Sequence, residues 1–152
     1  MSKQSRIDAL TRAVQDLHDA TDLIDELAAR RLGINRTDLR CLSRLGAHGP
    51  QTASELATAA GLTGGAMTTA IDRLERAGLA RRDRDSTDRR RVLVHLTDQA
   101  ERLTEQIWGP ILADAQAELS RFSMAELELI ARFLGVALDN QRHHADRLRS
   151  GA

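Results

Sequence analysis

TGGAMTTAIDRLERAGLARRDRDSTDRRRVLVHLT, from Thr63 to Thr97, is the stretch whose reading decides the fold. Thr63 can cap a helix over 64–77. Met67, Ile71 and Leu74 stand at i, i+4 and i+7 and should face a core, and Gly78 marks the stop. Leu79 to Arg84 and Arg91 to Leu96 then read as two short strands around a turn at Asp85-Ser-Thr-Asp88, with Val92, Val94 and Leu96 alternating against Leu93 and His95. A helix bearing hydroxyls and an arginine, followed by a basic ribbon, suits a nucleic-acid duplex. The helix fits the major groove and the ribbon the adjacent minor groove.

Upstream of this block lies helix–turn–helix spacing. Thr52-Ala-Ser-Glu55 has the form of a capping box for a short helix over 53–60 that ends at Gly61. Joined by that tight turn, 53–60 and 64–77 have the proportions of a helix-turn-helix. Before them, Thr37 or Asn35 can cap a helix over about 38–47, with Leu39, Leu42 and Leu45 inward. The chain begins with a long helix over 5–31 whose apolar positions Ile7, Leu10, Val14, Leu17 and Ile24 form one stripe.

Downstream, Thr97 caps a fifth helix with Ala100, Leu103, Ile107, Ile111, Ala115 and Leu119 on one face; Gly109-Pro110 inside it predicts a kink or break. Ser123 caps a last helix from Met124 to about Leu148, striped by Leu127, Ile130, Leu134 and Leu138. The fold class is thus mainly α with a small β-hairpin.

Composition agrees with helices. Among 152 residues the only aromatics are Trp108, Phe122 and Phe133, so aliphatic side chains and alanine fill the core. Net charge is zero, but eight arginines (73, 76, 81, 82, 84, 89, 90 and 91) fall between Arg73 and Arg91 against four acids (Glu75, Asp83, Asp85, Asp88). A local basic patch on a neutral chain is an electrostatic footprint for a polyanion. Cys41 is the only cysteine, which excludes an intrachain disulfide and a thiolate metal cluster; beside Leu39 and Leu42 it reads as a buried, inert thiol. No apolar run is long enough to span a bilayer and no signal-peptide pattern opens the chain, so a cytoplasmic location is the expectation. His143 and His144 are adjacent and diverge by about 100° on a helix, so no metal site is expected. With no phosphate loop and no Ser, His and Asp set on spaced loops, an enzyme is not expected either, and no cofactor.

Two blocks, Asp72-Arg-Leu-Glu-Arg-Ala-Gly-Leu79 and Asp88-Arg-Arg-Arg-Val-Leu-Val-His-Leu-Thr97, resemble in order and spacing the MarR family of winged helix-turn-helix regulators. The resemblance implies a winged helix-turn-helix region over 35–97, with the hairpin as wing, between an N-terminal dimerisation helix (1–34) and C-terminal dimerisation helices (98–152). It also implies an interlocked homodimer acting on double-stranded DNA as a repressor, with room for a small lipophilic or phenolic effector. The first and last helices agree with a dimer, since a small central core could not cover both stripes alone.

In that frame Thr63, Gly64, Gly65, Thr68, Thr69 and Arg73 are the candidate DNA-binding residues of the fourth helix, with Asp72 also outward. The glycines admit a close backbone approach to phosphate. The threonines can donate to phosphate, accept from bases or set a methyl against thymine. Arg73 can reach a phosphate or a guanine edge. The family often carries a basic residue where Thr69 stands. Arg90 matches the family's wing-tip arginine, Arg89 and Arg91 are its phosphate-facing or turn-supporting neighbours, and Asp88 is expected to orient an arginine, Arg90 first. The alternative is a dimeric protein-interaction module whose winged helix has lost DNA binding, suggested by the missing bulky readers at Gly64, Gly65 and Thr69.

Overall fold

A computed structural model describes residues 2–151. Its elements are α1 (Lys3–Leu32), α2 (Arg36–His48), α3 (Ala53–Ala60), α4 (Gly64–Arg76), β1 (Ala80–Arg84), β2 (Val92–Leu96), α5 (Asp98–Leu119) and α6 (Met124–Ser150). The fold is mainly α with one antiparallel hairpin, as the sequence patterning predicts. By internal contact the chain forms two compact units, one ending at Trp108 and the other beginning at Gly109.

Local signals set the boundaries in the first unit. Asn35, the first of the two cap candidates in chain order, closes α2 by accepting from the Asp38 amide at 2.9 Å. Thr52 and Glu55 form the expected capping box of α3. Thr63 caps α4, accepting from the Ala66 amide at 3.3 Å. Gly78 leaves α4 with φ +70, the left-handed conformation that side-chain-bearing residues seldom adopt, and this turns Leu79 back into the core.

The core gathers Leu42, Leu45, Leu56, Met67, Ile71, Leu74, Leu79, Val94 and Ala100. Every residue predicted to face inward from α2 and α4 is buried. The hairpin pairs Ala80 with Leu96, Arg82 with Val94 and Arg84 with Val92. Val94 also exchanges two backbone hydrogen bonds with Gln51, at 2.8 and 3.3 Å, so the segment before α3 adds a one-residue bridge to the sheet. Thr97 binds the start of α5 to the end of α4, its hydroxyl donating to the Gly78 carbonyl at 2.7 Å and accepting from the Ala100 amide at 3.1 Å. A second small cluster joins Ala28 and Ala29 of α1 to Leu39, with Leu32, Ile34, Ile107 and Trp108 packed on it; Trp108 is therefore partly buried filler.

Helix α5 continues through Pro110 as one helix, so the break among the two expected outcomes does not occur. Proline removes the bond to the Gln106 carbonyl and crowds it; both residues are exposed, so that carbonyl can turn to water. The stripe of α1 is largely uncovered: only Ala28 and Ala29 are buried, while Ile7, Leu10, Val14 and Leu17 lie exposed.

The second unit holds the end of α5 and α6. Ser123 and Glu126 form a capping box, but no residue of α6 is buried. Leu129, Phe133, Leu134, Val136 and Leu138 are each at least half exposed.

Candidate nucleic-acid interface

Helix α4 presents its buried side, Met67, Ala70, Ile71 and Leu74, to the core, which leaves Gly64, Gly65, Thr68, Thr69 and Asp72 exposed opposite. A Cβ added at Gly64 or Gly65 would meet nothing within 4 Å. Internal packing therefore does not explain either glycine. The Thr68 hydroxyl donates to the Gly64 carbonyl at 2.9 Å and that of Thr69 to the Gly65 carbonyl at 3.0 Å. The Thr63 hydroxyl accepts within the cap and keeps its own hydrogen for an outside acceptor.

Arg73, read from sequence as free to reach DNA, is engaged. Its Nε and Nη2 donate to the two oxygens of Asp38 at 2.9 and 2.6 Å. Asp38 is 1 % exposed, and the fork holds the guanidinium firmly charged, its pKa raised chiefly by the hydrogen bond to Asp38. Sequence reasoning missed Asp38 because, in the first turn of α2, it is indistinguishable from an ordinary helix-start acid.

The hairpin is braced to α4. Arg82 of β1 reaches Asp72 at 2.7 Å and pairs with Glu75, whose carboxylate also accepts from the Arg82 amide at 3.0 Å. The connection between the strands spans 85–91, one residue more than the strand bounds read from sequence leave. Asp85 accepts from the Thr87 amide at 2.8 Å, which, together with burial of opposite sign, leaves its carboxyl below the usual range. Asp88 opens a turn closed by the Arg91 amide on the Asp88 carbonyl at 2.9 Å. Arg89 and Arg90 occupy its two central positions, exposed, and among the described residues neither guanidinium meets a carboxylate.

Asp88 acts otherwise than the sequence reading had it, and Arg91 takes the supporting one of its two expected roles. Asp88 accepts from the Arg90 backbone amide at 3.0 Å, so it shapes the turn and leaves the side chain free. Arg91 turns inward to Glu55 of α3 at 3.0 Å, with Asp85 3.9 Å away. The bond from the Thr52 amide, aided by Arg91, keeps the Glu55 carboxyl below its ordinary range.

Cys41 is buried with Sγ 3.6 Å from the Met67 Sδ, and burial pushes its thiol up, away from a reactive thiolate. A groove of about 420 Å³ between the end of α2, the hairpin root and the start of α5 is lined by Leu45, Pro50, Arg81, His95, Asp98 and Glu101, a polar rather than aliphatic wall. No described helix is long and apolar enough to cross a membrane.

A braced helix-turn-helix with a basic, turn-tipped wing defines a winged helix-turn-helix protein. Comparison with known proteins gives the family: residues 34–92 match the MarR family model. The uncharacterized HTH-type transcriptional regulator YcgE of Bacillus subtilis is 36% identical over 97% of this chain and 98% of its own length. A MarR family protein from Bacillus stearothermophilus superposes with a TM-score of 0.66 at 22% identity, covering 93% of this chain and 99% of that one. A mutant of Staphylococcus aureus MepR, bound to an oligodeoxyribonucleotide, gives 0.57 at 26% identity, covering 89% and 97%. The chain belongs to the MarR family and is a transcriptional regulator, not an enzyme.

Proposed function

We propose that the chain is a sequence-specific reader of double-stranded DNA, working as a homodimer on a pseudo-palindromic operator and repressing transcription from it. The observation that carries this reading is the arrangement of two DNA-sized probes on one braced frame. The exposed side of α4 has clearance for a backbone at Gly64 and Gly65. The wing, fixed to α4 through Arg82, ends in Arg89 and Arg90 with unpaired guanidinium groups. Thr63, Gly64, Gly65, Thr68 and Thr69 address the major groove, and Arg90, with Arg89 beside it, the minor groove. Arg73 and Arg91 serve from behind, holding the helix and the wing.

Homodimerisation is supported by the uncovered stripes. Leu10 at 59% and Leu17 at 67% exposure on α1, with Leu134 and Leu138 on α6, are apolar area that an obligate partner would remove from water. Two copies related by a two-fold axis place their half-sites about one helical turn, ~10 base pairs, apart. A small lipophilic effector would act from the apolar cluster of Leu32, Ile34, Ile107 and Trp108, where α1 meets α2 and where a shift would reach Leu39, one residue from Asp38.

Selection of bound duplexes from a randomised pool at about 0.15 M salt tests the proposal, with sedimentation of the free protein alongside. An enriched pseudo-palindrome with one-turn spacing and a dimeric mass are expected. Salt-sensitive retention with no enriched sequence would overturn it in favour of a protein-interaction module.

A further inference from the structure

We propose that the exposed middle of α4 reads thymine methyl groups through Thr68 and Thr69 and makes no guanine contact there, so that the pairs these two residues face are A·T; this rests on the DNA-binding reading above. A threonine hydroxyl has one hydrogen to give. In both residues that hydrogen is committed to the helix's own carbonyls, Thr68 to Gly64 at 2.9 Å and Thr69 to Gly65 at 3.0 Å. What each exposed side chain has left is a γ-methyl and the lone pairs of its oxygen.

That remainder is selective. The guanine edge in the major groove offers only the acceptors N7 and O6, which a side chain without a free hydrogen cannot bind. Cytosine offers an amino group but no methyl. An A·T pair offers both an adenine amino group for a lone pair and a thymine methyl for the γ-methyl.

The usual guanine reader is absent as well. Arg73 is the one cation in the exposed middle of α4, and Asp38 holds its Nε and Nη2. Freeing it for a base would leave a carboxylate at 1 % exposure without its partner. Asp72 is bound to Arg82 at 2.7 Å. Arg76, at the C-terminal end of the helix with its Nε on the Asp72 carbonyl, lies about 10 Å along the axis beyond Thr69. Arg89 and Arg90 favour the same composition, since the minor groove of A·T tracts is narrow and strongly negative.

The test uses the intact protein on its selected duplex, with single atoms changed in the DNA. Each thymine of a half-site is replaced in turn by deoxyuridine, which lacks only the methyl, and each guanine by 7-deazaguanine, which lacks only the N7 acceptor. Deoxyuridine should weaken binding about fourfold at one or two positions per half-site, the worth of one buried methyl, and 7-deazaguanine at the pairs adjoining those positions should have no effect. Thr69→Ser, without the methyl, should erase the thymine–uracil difference at its position, and Thr69→Val should keep it. Loss of affinity with 7-deazaguanine at those adjoining pairs, or equal binding of every deoxyuridine duplex, would overturn the inference while leaving operator binding intact. Failure to select any sequence would remove the function reading and the inference together.

Discussion

Arg73 of α4 grips Asp38 of α2 through two parallel hydrogen bonds of 2.9 and 2.6 Å, and so ties the helix proposed to enter DNA to the helix beneath it. The carboxylate is sealed from solvent while the guanidinium side chain is 35% exposed. Such a pair fixes geometry more than it adds stability, because desolvating both charges offsets much of their attraction. Breaking it from one side is a different matter, since the buried carboxylate is then left uncompensated.

Arg73→Ala should therefore lower the urea midpoint of unfolding, though by less than the loss of a fully buried pair because water can reach the vacated site. Urea unfolding at fixed protomer concentration measures it. An unchanged midpoint would mean that Asp38 is already well solvated.

Gly65→Ala separates stability from function. A Cβ there meets nothing within 4 Å, and alanine forms helix more readily than glycine, so folding should gain about 0.5 kcal/mol. Operator affinity should fall, because the methyl stands where the DNA backbone would approach. Thermal unfolding and a binding titration on the same preparation give both signs; a more stable protein that binds as well as before refutes the clearance role.

Most elements were legible because their signals are local. The Thr52–Glu55 and Ser123–Glu126 boxes, the period of Met67, Ile71 and Leu74, and the alternation over 92–96 each act within one turn or one strand. The ties that shape the interface join distant residues: Asp38 to Arg73 and Glu55 to Arg91 span 35 and 36 positions. No spacing rule reveals them, which is why Arg73 looked like a free cation and the partner of Arg91 stayed unnamed. Sequence shows one turn in the wing where there are two, because the Asx turns at Asp85 and Asp88 lie within one polar run. At Pro110 the break did not occur, because the carbonyl that loses its bond lies on an exposed face.

The wing arginines should differ in salt dependence. Arg90→Ala removes an unpaired cation and should lower the slope of log K against log salt by about 0.9, with roughly tenfold weaker binding. Arg91→Gln removes a tie to Glu55 and should weaken binding while leaving the slope unchanged. Equal changes of slope in both variants would make Arg91 a phosphate contact.

Acid should loosen the caps of α3 and α6. Glu55 is held below the ordinary glutamate range by the Thr52 amide, and Glu126 by the Ser123 hydroxyl. A depressed carboxyl contributes stability that is complete above its unfolded pKa and is lost as pH falls through the folded one. Stability should thus decline as pH drops below the ordinary glutamate range. Ser123→Ala should flatten part of that decline. An acid limb unchanged by this substitution would show that the Glu126 cap contributes nothing to it.

The uncovered stripes give the last prediction. Leu17 on α1 and Leu134 on α6 stand 67% and 57% exposed, each within a row of apolar neighbours that this chain alone does not bury. If a second copy covers them, a charge placed there must be desolvated on association, which is costly for an unpaired carboxylate. Leu17→Glu and Leu134→Glu should each shift the protein from dimer to monomer in sedimentation, and DNA affinity should drop with the loss of the second half-site contact. The core around Leu42, Met67 and Ile71 lies in neither stripe, so amide protection in α2 and α4 should outlast that in α1 and α6. A dimer that withstands both substitutions would place the interface elsewhere.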